Sequence, residues 1–382
     1  MTPTNRHTFI SDATVLQGRQ ALEGGKVGCI VLAGGVGSRF GLEKPKGTFA
    51  ISAVKHKSLF ELIVDRVKAA GASFGTRPPL AIMTSEATHK ETVDFFTTHA
   101  FFGLKEIFFF QQESLPQIND NGEHMPTTAP DGNGKMFWNL QRSGTLTEWR
   151  KRGIEYVSTV VIDNPLADPF DTRLIGFHVQ EKNEATCVGI LREDPEEKLG
   201  VFQEKESHLV VTEYSEIQEN EKRARTDEGA FVHPIGNISF FVFNLSFIER
   251  LAAQPCTLPL HKTCKKITPQ QQKELGITEP ISLWKCEYFL FDVLAFTTQA
   301  SILVMPRSDC FSPLKSAEDF PRVQQALVER DKKIFHKITG THIPQTSIVE
   351  LSPQFLYPTT LLEREWKGKH LPKELYIEAK IL

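Results

Sequence analysis

From Ile30 to Ile51 the chain reads IVLAGGVGSRFGLEKPKGTFAI, an apolar run that opens into Gly34, Gly35 and Gly37 and is followed by Arg39, Lys44 and Lys46. Glycines let backbone N–H groups approach phosphate oxygens directly. Arg39 and Lys46 add the charge that neutralises a polyphosphate, and Pro45 stiffens the chain and fixes where Lys46 points. The chemistry these residues suit is polyphosphate binding. Two familiar phosphate loops do not fit. A P-loop closes with Gly-Lys-Ser/Thr, which is missing here, and a G-x-G-x-x-G fingerprint drawn through Gly35, Gly37 and Gly41 is one residue too long. An oxidoreductase built on that fingerprint would also need an acidic ribose-binding residue after the second strand, and none is evident. The ordinary alternative for a glycine-rich loop is a tight turn with solvated cations.

Such a loop needs a scaffold, and the neighbouring segments supply one. VGCIVLAGG reads as a buried parallel strand. SLFELIVDRVKAAGA, with Ser58 as N-cap and Gly71 as stop, reads as a helix. PPLAIMTS and EIFFFQQ are further strands separated by a helix in ATHKETVDFFTTHA, and FFGLKEIFFF as a whole has the texture of buried strand. NLQRSGTLTEWRKRG continues as helix, and IEYVSTVVIDNPLADP as strand and turn. The alternation predicts an α/β fold with a Rossmann-like, mainly parallel central sheet flanked by helices. A loop leaving such a strand lies at the carboxyl edge, where α/β proteins bind ligands. From about Ala185 the segments ATCVGILRE, GVFQEKESHLVVTEYSEI and NISFFVFNLSFIERL read as strands, an antiparallel or mixed extension. SPLKSAEDFPRVQQALVERDKK carries helix signals interrupted by Pro321, and the proline-rich end reads as a small C-terminal appendage. The expected division is a lead-in over 1–26, a catalytic unit over 27–330 and the appendage over 331–382.

Composition bounds the function classes. With 382 residues, 40% of them hydrophobic, the chain can bury a sizeable core. A net charge of −3 argues against a nucleic-acid partner. The six cysteines are scattered without a CxxC pair, which favours reduced, mostly buried thiols over a disulfide frame. Cys256 and Cys264, with His261 between them, do not have zinc-site spacing. The N-terminus lacks a signal-peptide pattern, and YFLFDVLAF is too short to span a membrane. A cytoplasmic protein, monomer or weak homodimer, is expected.

LAGGVGSRFGLEKPKG resembles the L-x-G-G-x-G-T-R…P-K signature of sugar-nucleotide pyrophosphorylases, with Ser38 in place of threonine. The segments MTSEATHKETVDFF, FFFQQESLP, APDGNGKMF, VVIDNPLADP, VVTEYSEI, PIGNISFFVF, CEYFLFDVL and FSPLKSAED follow in family order across residues 27 to 320. They narrow the resemblance to the UTP-dependent UDP-N-acetylhexosamine pyrophosphorylases. DGNG points the same way, because the UDP-glucose enzymes usually carry a Gly-His-Gly segment there. The chain departs from the eukaryotic pattern in lacking most of the N-terminal extension, and its C-terminal part is short.

The resemblance implies a nucleotide-diphospho-sugar transferase fold of GT-A type. It also implies attack of a sugar 1-phosphate on the α-phosphorus of UTP, with Mg2+ as cofactor. Arg39, Lys46 and Lys315 would form the charge clamp. Ala33, Gly34, Gly35, Gly37 and Lys46 would hold the UTP phosphates, and Gln112 and Gly132 the uracil. Asn133, Gly200, Glu213, Asn237, Phe289 and Phe291 would line the sugar pocket, and Asp163 would bind the metal. Each has a plainer reading: Asp163 before Asn164 and Pro165 is a turn-former, Glu213 is the exposed position of an alternating strand, and Lys315 is a solvated lysine. Lys265 and Lys266 are a second cationic pair, Glu216 has no assigned role, and the twelve histidines read as surface or packing residues. Synthesis of UDP-glucose, a broad UDP-sugar specificity, or a non-catalytic nucleotide-sugar binding protein are the alternatives.

Overall fold

The computed structural model describes residues 6–37, 40–41, 44–266, 282–372 and 375–379. Its strands, in chain order, are β1 (Arg6–His7), β2 (Val27–Leu32), β3 (Leu80–Thr84), β4 (Phe108–Gln111), β5 (Ser114–Ile118), β6 (His124–Pro130), β7 (Tyr156–Val161), β8 (Ala185–Leu191), β9 (Val201–Lys205), β10 (His208–Thr212), β11 (Ile235–Asn244), β12 (His261–Lys266), β13 (Ser282–Glu287), β14 (Ala300–Val304), β15 (Glu350–Leu351) and β16 (Tyr376–Ile377). The central sheet runs β1-β14-β8-β11-β7-β2-β3-β4, with the β9–β10 hairpin attached to β11. β2, β3, β4 and β7 are mutually parallel along this path, and so are β1, β14 and β8. β11 lies antiparallel between β7 and β8, so the sheet is mixed and mainly parallel. Every residue of β2 and β3 is buried, as expected of strands covered on both faces.

One face packs against the helices Leu59–Phe74, Glu86–Thr98, Thr172–Gln180 and Asp12–Glu23, and the other against Met136–Arg142, Thr145–Lys151 and Leu245–Ala252. A smaller antiparallel sheet, β12-β13-β5-β6, stands beside the main one. The bridge between Gly132 and Tyr288 joins the DGNG segment to the chain leaving β13.

Local signals were misread in a few places, each for a physical reason. Helix Leu59–Phe74 runs through Gly71 and stops at Gly75, whose φ of 68° makes the left-handed cap. Phe101 and Phe102 sit in a turn with φ near 50°, and strand begins only at Phe108. The helix expected across NLQRSGTLTEWRKRG is two helices, broken where Gly144 takes a φ of 79°. NISFFVFNLSFIERL changes from strand to helix at Leu245. Pro321 opens the helix Phe320–Thr339 instead of interrupting it, because a first-turn proline has no N–H bond to lose. The thiols of Cys29, Cys187, Cys286 and Cys310 are buried, Cys256 is half-buried, Cys264 is exposed, and all six are free.

Candidate active site

The predicted nucleotide side is built where β2 leaves the sheet. The Ala33 N–H donates to Met83 O at 2.8 Å and continues the pairing with β3. At Gly34 a Cβ would stand 2.4 Å from Oε1 of Gln112, so only glycine lets that buried side chain lie across the loop. The Gln112 N–H donates to Thr84 O at 2.8 Å, which fixes its place at the end of β4. A cavity of about 780 Å³ opens beside Gln112, lined also by His89, Glu113, Asn139 and Arg142. The Gly37 N–H is already bonded to Lys44 O at 2.8 Å and so is not free to donate to a ligand. Arg39 lies outside the described residues.

Lys46 begins a short 3-10 turn directly after Pro45. Its Nζ sits 3.1 Å from Oδ2 of Asp163, just beyond the end of β7. Because β2 and β7 are adjacent and parallel, both residues leave the same sheet edge. Behind them Asn164, read from sequence as a turn residue, is a buried tie. Its amide donates to Cys310 O at 2.8 Å and its Oδ1 accepts the Ser312 N–H at 3.0 Å. The Leu314 N–H donates to Asp163 O at 2.7 Å, so the segment carrying Lys315 is docked against the aspartate's backbone.

Two walls make up the predicted sugar side. Gly132, expected from sequence at the uracil, has a φ of 84° and leads into the first wall, where Asn133 Oδ1 accepts the Leu290 N–H at 2.9 Å. Leu290 lies between Phe289 and Phe291, whose rings stack at 5.1 Å. In the second, Gly200 O accepts the Asn237 N–H at 2.8 Å, and a Cβ on Gly200 would come within 3.2 Å of Glu213 Oε2. The β11–β8 register shifts between Asn237 and Phe241, a bulge that gives Asn237 its own turn: Oδ1 accepts the Ser239 N–H at 3.0 Å. Burial pushes the Glu213 carboxyl up to about 6, against the pull of the Lys315 charge. Lys315 Nζ itself lies 3.5 Å from Lys198 O, beside this wall.

Sequence reasoning missed three features. His261 lies between Glu216 and Asp292, with Nδ1 2.5 Å from Glu216 Oε1 and Nε2 2.9 Å from Asp292 Oδ2. Lys135 joins Glu113 at 3.0 Å to the fully buried Asp131 at 3.4 Å, and Arg142 meets Glu113 at 2.5 Å. Burial pushes the Asp131 carboxyl up to about 6. The third is the Asn164 tie. The first depends on pairing between segments far apart in the chain, and neither spacing nor periodicity signals it. Lys265 and Lys266 fall on β12, with side chains outside the described residues.

A family model described as UTP–glucose-1-phosphate uridylyltransferase matches residues 2–369. The Schizosaccharomyces pombe protein named "Probable UDP-N-acetylglucosamine pyrophosphorylase" is 33% identical over 80% of this chain and 69% of its own. UDP-N-acetylglucosamine diphosphorylase 2 of Arabidopsis thaliana is 31% identical over 94% of this chain and 77% of its own. The crystal structure of the Trypanosoma brucei uridine diphosphate N-acetylglucosamine pyrophosphorylase superposes with a TM-score of 0.79 at 26% identity, covering 92% of this chain and 77% of that one. With its fold, its glycine loop and its family match running through the same residues, the chain belongs to the UTP–glucose-1-phosphate uridylyltransferase family.

Proposed function

We propose that this enzyme transfers a uridylyl group from UTP to N-acetylglucosamine 1-phosphate, making UDP-N-acetylglucosamine and pyrophosphate. The carrying observation is the Lys46–Asp163 pair at the shared edge of β2 and β7, beside the bare backbone of Gly34 and Gly35. A sugar phosphate oxygen forms a bond to the α-phosphorus as the bond from that phosphorus to the β-phosphate bridge breaks. The electron pair leaves with pyrophosphate. Little covalent work falls to the protein, which must align two polyanions and stabilise charge on the α-phosphate oxygens. In this reading Gly34 and Gly35 present N–H groups, Lys46 takes the α-phosphate, and Lys315 reaches the sugar phosphate. Gln112 pairs with the uracil edge, Asn133 with Phe289 and Phe291 forms the wall toward the N-acetyl group, and Glu213 and Asn237 take sugar hydroxyls.

Asp163 suits Mg2+, an oxygen-seeking ion that binds through one carboxylate, phosphate oxygens and waters; its carboxylate is partly exposed at the strand edge. Bound there, the ion would supply further neutralisation of the phosphates. The N-acetylated sugar is favoured by the DGNG segment and by the names of the relatives. Free thiols suit a reducing compartment such as the cytoplasm, and no helix among the described residues is long and apolar enough to cross a membrane.

The test is pyrophosphate release with UTP and magnesium, comparing N-acetylglucosamine, N-acetylgalactosamine and glucose 1-phosphates. Preference for the N-acetylated sugars is expected. A preference for glucose 1-phosphate would keep the chemistry and change the substrate, and no release with any sugar would leave a binding protein.

A further inference from the structure

The two walls of the proposed sugar pocket come from segments distant in sequence, and one side chain touches both the aromatic wall and the turn that follows Glu213. His261, the first residue of β12, pairs with Glu287 on β13. Its ring stands 4.7 Å from that of Phe289 and 6.1 Å from that of Phe291. Nε2 faces Asp292, whose own N–H donates to Phe289 O at 3.1 Å. Nδ1 faces Glu216, and the Glu216 and Ile217 N–H groups donate to Glu213 O at 2.9 and 3.1 Å. The aromatic wall is thus tied through Asp292, His261 and Glu216 to the turn that carries Glu213.

We propose that His261 is a positioning residue that clasps the aromatic wall to the Glu213 turn and so sets the pocket's choice between N-acetylated and plain hexose 1-phosphates. This rests on the functional reading above.

Both ring nitrogens face carboxylate oxygens, an arrangement that suits an imidazolium donating to each side. The hydrogen bonds to Asp292 and Glu216 hold its pKa up at about 9, against burial. His261 and Asp292 keep only 14% and 13% of their side chains exposed, so solvent screens the clasp less than a surface pair. Without the cation, Asp292 and Glu216 are left as like charges flanking one point, and Glu216 also repels Glu213, which Lys315 draws. The walls then separate, and the contact that distinguishes an N-acetyl group from a hydroxyl weakens most.

The experiment measures kcat and KM for N-acetylglucosamine 1-phosphate and for glucose 1-phosphate, and KM for UTP, in wild type, His261→Gln and Glu216→Gln. The expected result is a fall of about tenfold or more in the preference for the N-acetylated sugar in His261→Gln, the scale of discrimination one substituent supports. That fall should come through the sugar KM, be smaller in Glu216→Gln, and leave the KM for UTP unmoved. An unchanged preference in a folded His261→Gln overturns the proposal, as does an equal loss for both sugars and UTP. If His261→Gln does not fold, Glu216→Gln at its more exposed position decides, and an unchanged preference there overturns the proposal. Wild type inert with every sugar sinks the functional reading and this inference together; active wild type with unmoved variants sinks this inference alone.

Discussion

Lys46 and Asp163 face each other across 3.1 Å, a pairing that fixes the ammonium at the sheet edge where the proposed reaction needs it beside the α-phosphate. Loss of one charge-stabilising group aimed at a transition state typically lowers kcat by about 10²–10³. Lys46→Ala should show a loss of that size in steady-state pyrophosphate release. The sugar KM should change little, and the partly exposed Asp163 should keep the fold intact. Glu213 makes a second, pH-resolved prediction. In the proposed reading it accepts from sugar hydroxyls as a carboxylate, and burial raises its pKa to about 6. The sign follows: above about 6 the acceptor is present, and as pH falls through that value it becomes a neutral acid. The sugar KM should therefore rise on the acid side while the UTP KM stays level. A pH profile of kcat/KM checks this, and Glu213→Gln should lose that limb. An acid limb that survives in Glu213→Gln assigns it to another group.

The helices Asp12–Glu23 and Thr172–Gln180 cross backbone to backbone at Gly18 and Gly176. A Cβ at Gly176 would come within 1.8 Å of Thr14 O, and one at Gly18 within 2.0 Å of Thr172 O. Neither is the movable end of a side chain, so the helices themselves must part. Gly176→Ala should cost about 3 kcal/mol or more, the upper range for overpacking, read as a lowered denaturant midpoint with an unchanged m-value. Nothing near Gly18 or Gly176 in the sequence announces the crossing, whereas the strands and helices from Val27 to Gln111 are legible because each carries its own period and caps. The same division separates the elements read well from those misread. Gly75 and Gly71 are alike as letters, and only the chain direction after Phe74 selects the cap. The phenylalanines of NISFFVFNLSFIERL hide the change from strand to helix at Leu245. In the site, the glycine loop and Lys46 are legible since they are contiguous. Asn164 and His261 act through partners more than thirty residues away in sequence, so no local pattern carries them.

At the scale of the whole molecule, the C-terminal residues brace the loops that follow both halves of the charged pair. Residues beyond the helix Phe320–Thr339 form their own small cluster with Phe335, around Leu351, Phe355, Leu362, Trp366 and Ile377. Beside it Tyr357, packed into the main core, donates to Asp168, in the loop after Asp163, where the buried Arg66 also donates to Ala167 O at 2.6 Å. On the other side, Glu350 Oε2 accepts the N–H groups of Val54 and Lys55 at 2.8 and 2.9 Å, in the loop after the Lys46 turn. Lys57 adds an ion pair to Asp65 at 2.6 Å and lies over the Tyr376 ring. Glu350→Ala would leave two backbone donors without their acceptor, a loss of about 1–3 kcal/mol. Because that loop runs on from Lys46, the KM for UTP should rise more than the KM for the sugar. Glu350→Gln keeps a side-chain carbonyl oxygen to accept both N–H groups, so it should recover most of the stability and the UTP affinity. Denaturant unfolding paired with substrate kinetics on the two variants tests the brace. A Glu350→Ala enzyme that unfolds at the wild-type midpoint and binds UTP as wild type would mean that the C-terminal segment packs on this loop without holding it.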